Sequence, residues 1–174
     1  MNTWFKINSI AYGWFEVQIG TIYMDASDYL GYDMPQKLLD KVYNIVTGNA
    51  AEEWLYFMDE PGANLLHITS KDGRVFFREY GSDKYSSDLS EDESLEGKSV
   101  IGYHYEIAVD MQDVVDNLVA EFSLYEKGNG RTLYKKHWGA FPERSYHKLK
   151  ELAFQMGKKA DQYHKLFCVT YLEK

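Results

Sequence analysis

This sequence is poor in the features that name a chemistry. It has a single cysteine, Cys168, so no disulfide can form within the chain. Its neighbours Tyr163, Leu166, Phe167 and Val169 suit a buried, inert thiol. No apolar run approaches the ~20 residues of a membrane helix. Met1 to Gly20 is interrupted by Lys6, Asn8, Ser9, Glu16 and Gln18, unlike a secretory signal. There is no Gly-x-Ser-x-Gly elbow, no Walker loop and no Gly-x-Gly-x-x-Gly. Gly128-Asn129-Gly130 offers two glycines and follows a predicted helix instead of a strand.

Histidine is equally unhelpful. His104-Tyr105-Glu106 has the H-x-E spacing of a zinc deaminase but lacks the Pro-Cys-x-x-Cys that completes it. His137-Trp138 and Tyr146-His147 match no zincin spacing, and His67 and His164 stand outside any motif. On an alternating strand His104 and Glu106 share one face, which predicts a hydrogen-bonded pair. These absences predict no catalytic residues, no metal site and no cofactor, in a protein of a reducing cytoplasm.

What the chain has is charge of one sign in one place. Residues 1–130 hold 9 Lys+Arg against 23 Asp+Glu, and residues 131–174 hold 10 against 4, giving the net −8 of the whole. The acidic part peaks in Gly81 to Lys98, where Asp83, Asp88, Glu91, Asp92, Glu93 and Glu96 face only Lys84 and Lys98. Such a segment is a solvated loop or a surface for a basic partner. Asp88, Ser90, Asp92, Ser94 and Glu96 alternate as in a calcium loop, but Glu93 and Ser99 stand where an EF-hand needs Gly and Glu. With three apolar anchors, Tyr85, Leu89 and Leu95, the stretch 82–97 is expected to be a mobile loop. The basic third includes Arg131, Lys135, Lys136, Arg144, Lys148 and Lys150, with Tyr134, Trp138 and Phe141 among them. An isoelectric point near 5.1 argues against nucleic acid as its partner. The expectation is that these cations balance the acidic body within the fold.

Hydrophobic residues make up 45 % of the chain and aromatics 16 %, enough for one sizeable core. Strands are predicted at Trp4–Ile7, Tyr12–Ile19 and Ile22–Asp25, the second with Phe15, Val17 and Ile19 alternating against Trp14, Glu16 and Gln18. Asp33 is placed to cap a helix, with Pro35 in its first turn, a stripe of Leu38, Leu39, Val42, Ile45 and Val46, and Gly48 as its stop. Further strands are expected at Trp54–Met58, Leu65–Thr69, Arg74–Tyr80 and Val100–Val109. Lys71-Asp72-Gly73 reads as a hairpin turn. On the last strand Ile101, Tyr103, Tyr105, Ile107 and Val109 would share one side. Asp110 is placed to cap a second helix that buries Val114, Val115, Leu118, Val119, Phe122 and Tyr125 and stops at Gly128-Asn129-Gly130. Pro142 opens a last helix with a stripe of Tyr146, Leu149, Leu152, Ala153 and Met156; the tail Tyr163–Leu172 fits strand or helix. The pattern predicts one α+β domain over residues 1–174, with a mainly antiparallel sheet of five to seven strands and about three helices packed largely on one face.

Gly13-Trp14-Phe15-Glu16-Val17, then Asp25–Leu30, then the capped helix to Gly48 and Met58-Asp59-Glu60-Pro61-Gly62 resemble small acidic immunity-type proteins of bacterial polymorphic-toxin systems. The resemblance covers roughly residues 12–80. It implies a cytoplasmic, non-enzymatic inhibitor that occupies the active site or groove of a toxin, with no catalytic residues of its own. Asp83, Asp88, Glu91, Asp92, Glu93 and Glu96 would then contact a protein partner with a basic surface, with Tyr80 and Tyr85 as aromatic anchors. Neither nucleic acid nor membrane is expected as a partner. The alternative is an enzyme or small-ligand protein with a pocket around His104 and Glu106. The third reading is an adaptor or subunit of a larger assembly.

Overall fold

The structure is a computed structural model that describes residues 4–28, 33–59, 62–82 and 100–172. Three strands come first: β1 (Phe5–Ala11), β2 (Trp14–Ile19) and β3 (Ile22–Ser27). They form an antiparallel sheet in the order β1-β2-β3. The expected alternation of β2 holds: Phe15, Val17 and Ile19 are buried while Glu16 is exposed. Tyr12 and Gly13, expected inside the strand, are the turn before it, at φ 54 and φ 80.

Helix α1 (Met34–Thr47) follows with the local signals read from sequence. Asp33 Oδ1 accepts the Gln36 N–H at 3.3 Å, and Leu38, Leu39, Val42 and Ile45 are buried. Four strands come next: β4 (Glu52–Asp59), β5 (Gly62–Lys71), β6 (Arg74–Ser82) and β7 (Val100–Asp110). They make a second antiparallel sheet in the order β4-β5-β6-β7. So the α+β class stands, but the single expected sheet is two. β3 lies beside β4 without a shared ladder, because α1 separates them in sequence and no turn fixes their register.

The helical half differs from the expectation of three helices. Helix α2 (Met111–Ser123) buries Val114, Val115, Leu118 and Phe122 as predicted. Asp110 makes no side-chain cap bond; its carboxylate lies 3.7 Å from Arg74 instead. Gly128-Asn129-Gly130 does not end α2 but opens a fourth helix, α3 (Gly128–His137). A Cβ on Gly130 would sit 1.9 Å from the Leu124 carbonyl oxygen, so the close α2–α3 link requires glycine there. Helix α4 (Glu143–Leu172) takes in the ambiguous tail as helix. Its Tyr146 and Leu149 are buried, while Leu152, Ala153 and Met156 are half-buried at its edge.

The core is one cluster that runs through both sheets and the helices. α1 packs on β4 and β5, α2 reaches β1, β6 and β7, and α4 lies across α1 and α2. Trp4 stacks on Phe77 at 5.0 Å, joining the two sheets, and Phe5 faces Phe122 at 6.4 Å. A polar clasp fixes α4 to α1: the Ser145 hydroxyl donates to Asp40 at 2.6 Å, and Gln36 donates to Asp40 and to Ser145. Side chains of α2 close the free edge of β1. The Asn117 Oδ1 accepts the Trp4 N–H at 3.2 Å, and Glu121 accepts the Ile7 N–H at 3.0 Å. An edge so occupied offers fewer free donors to another strand.

Candidate functional site

Asp83, Tyr85, Asp88, Glu91, Asp92, Glu93 and Glu96 lie outside the described residues, as does the expected mobile loop beyond Ser82. Tyr80 is described. It ends a half-buried aromatic group on β4–β6, where Trp54 stacks on His67 at 4.1 Å and Tyr80 lies 5.3 Å from Trp54. The ladder puts Trp54 opposite His67, and period two brings Tyr80 to the same face. His67 Nε2 meets the Glu52 carboxylate at 2.8 Å, and its Nδ1 is buried without a partner. Burial favours the neutral imidazole and pulls its pKa down, against the opposing pull of Glu52.

His104 and Glu106 do not make the expected pair. The β6–β7 register runs Arg78↔Glu106 and Glu79↔Tyr105, then skips to Tyr80↔Tyr103. His104 is the extra residue of a bulge, and a bulge re-aims the side chain it carries. Glu106 therefore pairs with Arg78 across the ladder. The charge of His104 acts on Glu79 instead. Glu79 is 8 % exposed, and desolvation raises its pKa while His104 opposes that rise. The ladder shifts register twice here, between Glu79 and Tyr80 and between Tyr80 and Gly81.

Several cations of the basic third make contacts within the fold. Arg131 pairs with Glu143 at 2.6 Å and also lies over the Phe141 ring at 4.6 Å. Lys150 meets Glu126 at 3.1 Å, and Lys148 lies over Tyr43. Glu126 and Glu143 have pKa values lowered by Lys150 and Arg131 respectively, their hydrogen-bonded partners. The expectation from sequence is that these cations balance the acidic part of the chain; Lys150 with Glu126 does so, while Arg131 pairs with Glu143 inside the basic third.

The outer face of the three-stranded sheet was not singled out from sequence. Lys6, Asn8, Glu16 and Tyr23 are exposed there, so no helix covers it. The ladder sets Glu16 directly opposite Asp25 and Gln18 opposite Tyr23. Tyr23 is 65 % exposed. A depression of about 230 Å³ runs between Asn8, Glu16, Tyr23 and Asp25. The signal in sequence was the alternation of β2 itself, whose polar set carries the face. Chemically it offers carboxylate acceptors and an aromatic ring, which suits cationic side chains. Among the described residues no group of three or more His, Cys, Asp or Glu is arranged to hold a metal ion, and no helix is long and apolar enough to cross a membrane. Comparison with family models, curated proteins and solved structures gives no match for this chain.

Proposed function

We propose that this chain is a non-enzymatic binding protein that covers a basic surface of another protein, in the manner of an immunity-type inhibitor of a toxin. The observation that carries the reading is the open sheet face with Glu16 directly opposite Asp25 and Tyr23 standing beside them, 65 % exposed. Glu16 presents an exposed carboxylate to a partner's Lys or Arg, and Tyr23 supplies the kind of anchor that concentrates binding energy. The six carboxylates from Asp83 to Glu96 add to the chain's net negative charge. The Arg78–Glu106 pair and the displaced His104 leave the alternative enzyme reading without its expected constellation.

The test starts with the neighbouring gene: a long secreted toxin beside this one supplies the partner directly. Co-expression should then rescue cells from that toxin. Glu16→Lys with Asp25→Lys should slow association by one to two orders of magnitude at low salt, since surface charge acts mainly on encounter. Added salt should mimic the substitution, because exposed charges are screened beyond ~10 Å at 0.1 M. Serine at Asp88, Glu91, Asp92 and Glu93 asks the same of the acidic stretch. Rescue that survives both sets of substitutions at unchanged rates would remove the electrostatic reading.

A further inference from the structure

The two-residue β1–β2 turn needs positive φ at both of its residues, and it places a bulky one where Asn, Asp or Gly is usual. Tyr12 sits at φ 54, a left-handed conformation that bulky residues avoid. Its residue surface is 88 % exposed, so core burial does not compensate. The last residue of α3 holds it there. The Gly13 N–H donates to the His137 carbonyl at 2.8 Å, and the Tyr12 N–H donates to His137 Nδ1 at 3.3 Å. The two rings meet edge to face at 5.4 Å. With Nδ1 accepting, the neutral imidazole carries its proton on Nε2. Asp28 closes another side: its N–H donates to the Gly13 carbonyl at 2.8 Å, and its carboxylate lies over the Gly13 Cα.

Between these groups is a cleft of about 320 Å³, whose further wall is Lys135, Lys136 and Trp138. Trp138 is fixed in place, with Nε1 donating to Asp33 at 3.2 Å and its ring 5.8 Å from Phe15. Lys135 and Lys136 come from the last turn of α3. Asp28 and the two lysines thus face one space with opposite charge, yet among the described residues none of the three is in an ion pair.

We propose that this cleft binds a small dipolar molecule of the free amino-acid type, with its ammonium against Asp28, its carboxylate toward Lys135 and Lys136, and its side chain against Tyr12 and Trp138. Opposite charges that share a cleft without pairing are placed for a ligand that carries both. A simple anion would meet the Asp28 carboxylate, and a simple cation would meet two lysines. The volume matches the lower end of small-molecule sites. Residues held in uncommon backbone conformations by surrounding contacts concentrate at ligand sites; Tyr12, exposed and held by its N–H bond and ring contact to His137, fits that pattern. The proposal is independent of the protein-binding reading above.

The test uses the full chain, labelled with nitrogen-15 and titrated with three probes: L-phenylalanine, N-acetyl-L-phenylalanine and phenethylamine. The last two each lack one charge. The reporters are the amides of Tyr12, Gly13, Asp28 and His137 and the indole N–H of Trp138. L-Phenylalanine should give saturable shifts at these groups, and each analogue should bind about tenfold more weakly, as expected for one lost charge-assisted contact. Asp28→Asn should weaken L-phenylalanine and phenethylamine and leave N-acetyl-L-phenylalanine unchanged. Lys135→Met with Lys136→Met should weaken L-phenylalanine and N-acetyl-L-phenylalanine and leave phenethylamine unchanged. Asp28 anchors the turn through its backbone N–H, so the Asn variant should fold, which a thermal melt checks. No saturable shift at the five reporters with millimolar L-phenylalanine, or equal affinity for all three probes, would overturn the proposal.

Discussion

Asn117→Leu should expose how the edge of the first sheet is held. Asn117 is 5 % exposed on α2, and its Oδ1 accepts the backbone N–H of Trp4, itself 8 % exposed. Leucine keeps the side-chain size and removes the acceptor. The Trp4 N–H is then a buried donor without a partner, a state that costs about 1–3 kcal/mol. The indole keeps its own bond to the Asp113 carbonyl at 2.9 Å and its stack on Phe77, so the loss should stay local to the main chain. For a domain of this size each kcal/mol moves Tm by roughly 2–4 °C. Urea denaturation and calorimetry read the loss, and amide exchange at Trp4 reads its cause. The Trp4 amide should exchange faster in the variant than in the parent. Adding Glu121→Met, which removes the acceptor for Ile7, should lower stability further. An Asn117→Leu protein with unchanged midpoint and a still-protected Trp4 amide would show that water or α2 satisfies the donor by another route.

Three more outcomes follow from the same coordinates. Gly13→Ala should lower stability more than Gly48→Ala: both sit in the left-handed region, at φ 80 and φ 75, but only at Gly13 would the Cβ come within 2.5 Å of a carboxylate oxygen. Thermal melts of the two variants give the order. Leu149→Ala, fully buried on α4, should cost ~2–5 kcal/mol by transfer and cavity terms; Leu152→Ala, half-buried on the same stripe, should cost less, and equal losses in urea denaturation would place the core boundary elsewhere. Burial raises the pKa of Glu79, so the folded state gives up this proton at higher pH than the unfolded state does. Stability from this group is therefore present below the ordinary value of 4.5 and falls as pH rises through the raised one. Glu79→Gln should remove that fall and be the more stable protein at pH 7, as urea midpoints across pH 4 to 7 would show.

Local signals carried part of this fold in the sequence. The Asp33 cap, the Pro35 start and the buried stripe of α1 depend on residues a few positions apart, and they formed as written. The turn at Asp72-Gly73, at φ 51 and φ 76, was legible for the same reason. α3 was missed because glycines read as a stop when the approach they permit lies in three dimensions. Asp110 stands at the N-cap of α2 as its place in the sequence predicts, but its carboxylate lies by Arg74, its partner on β6, and makes no cap bond.

Composition, the two charge blocks, the alternation of β2 and the apolar stripes of α1 and α2 were fixed by order along the chain, since period and propensity are local properties. Only the tertiary structure decided that the strands divide into two sheets, because pairing partners are chosen by register and packing between distant segments. It also decided that His104 has no partner in the β6–β7 ladder, where the register shifts twice beside it. The meeting of Tyr12, Asp28 and His137 was beyond any local rule: His137 contacts Tyr12 across 125 positions of sequence, and no periodicity spans that distance.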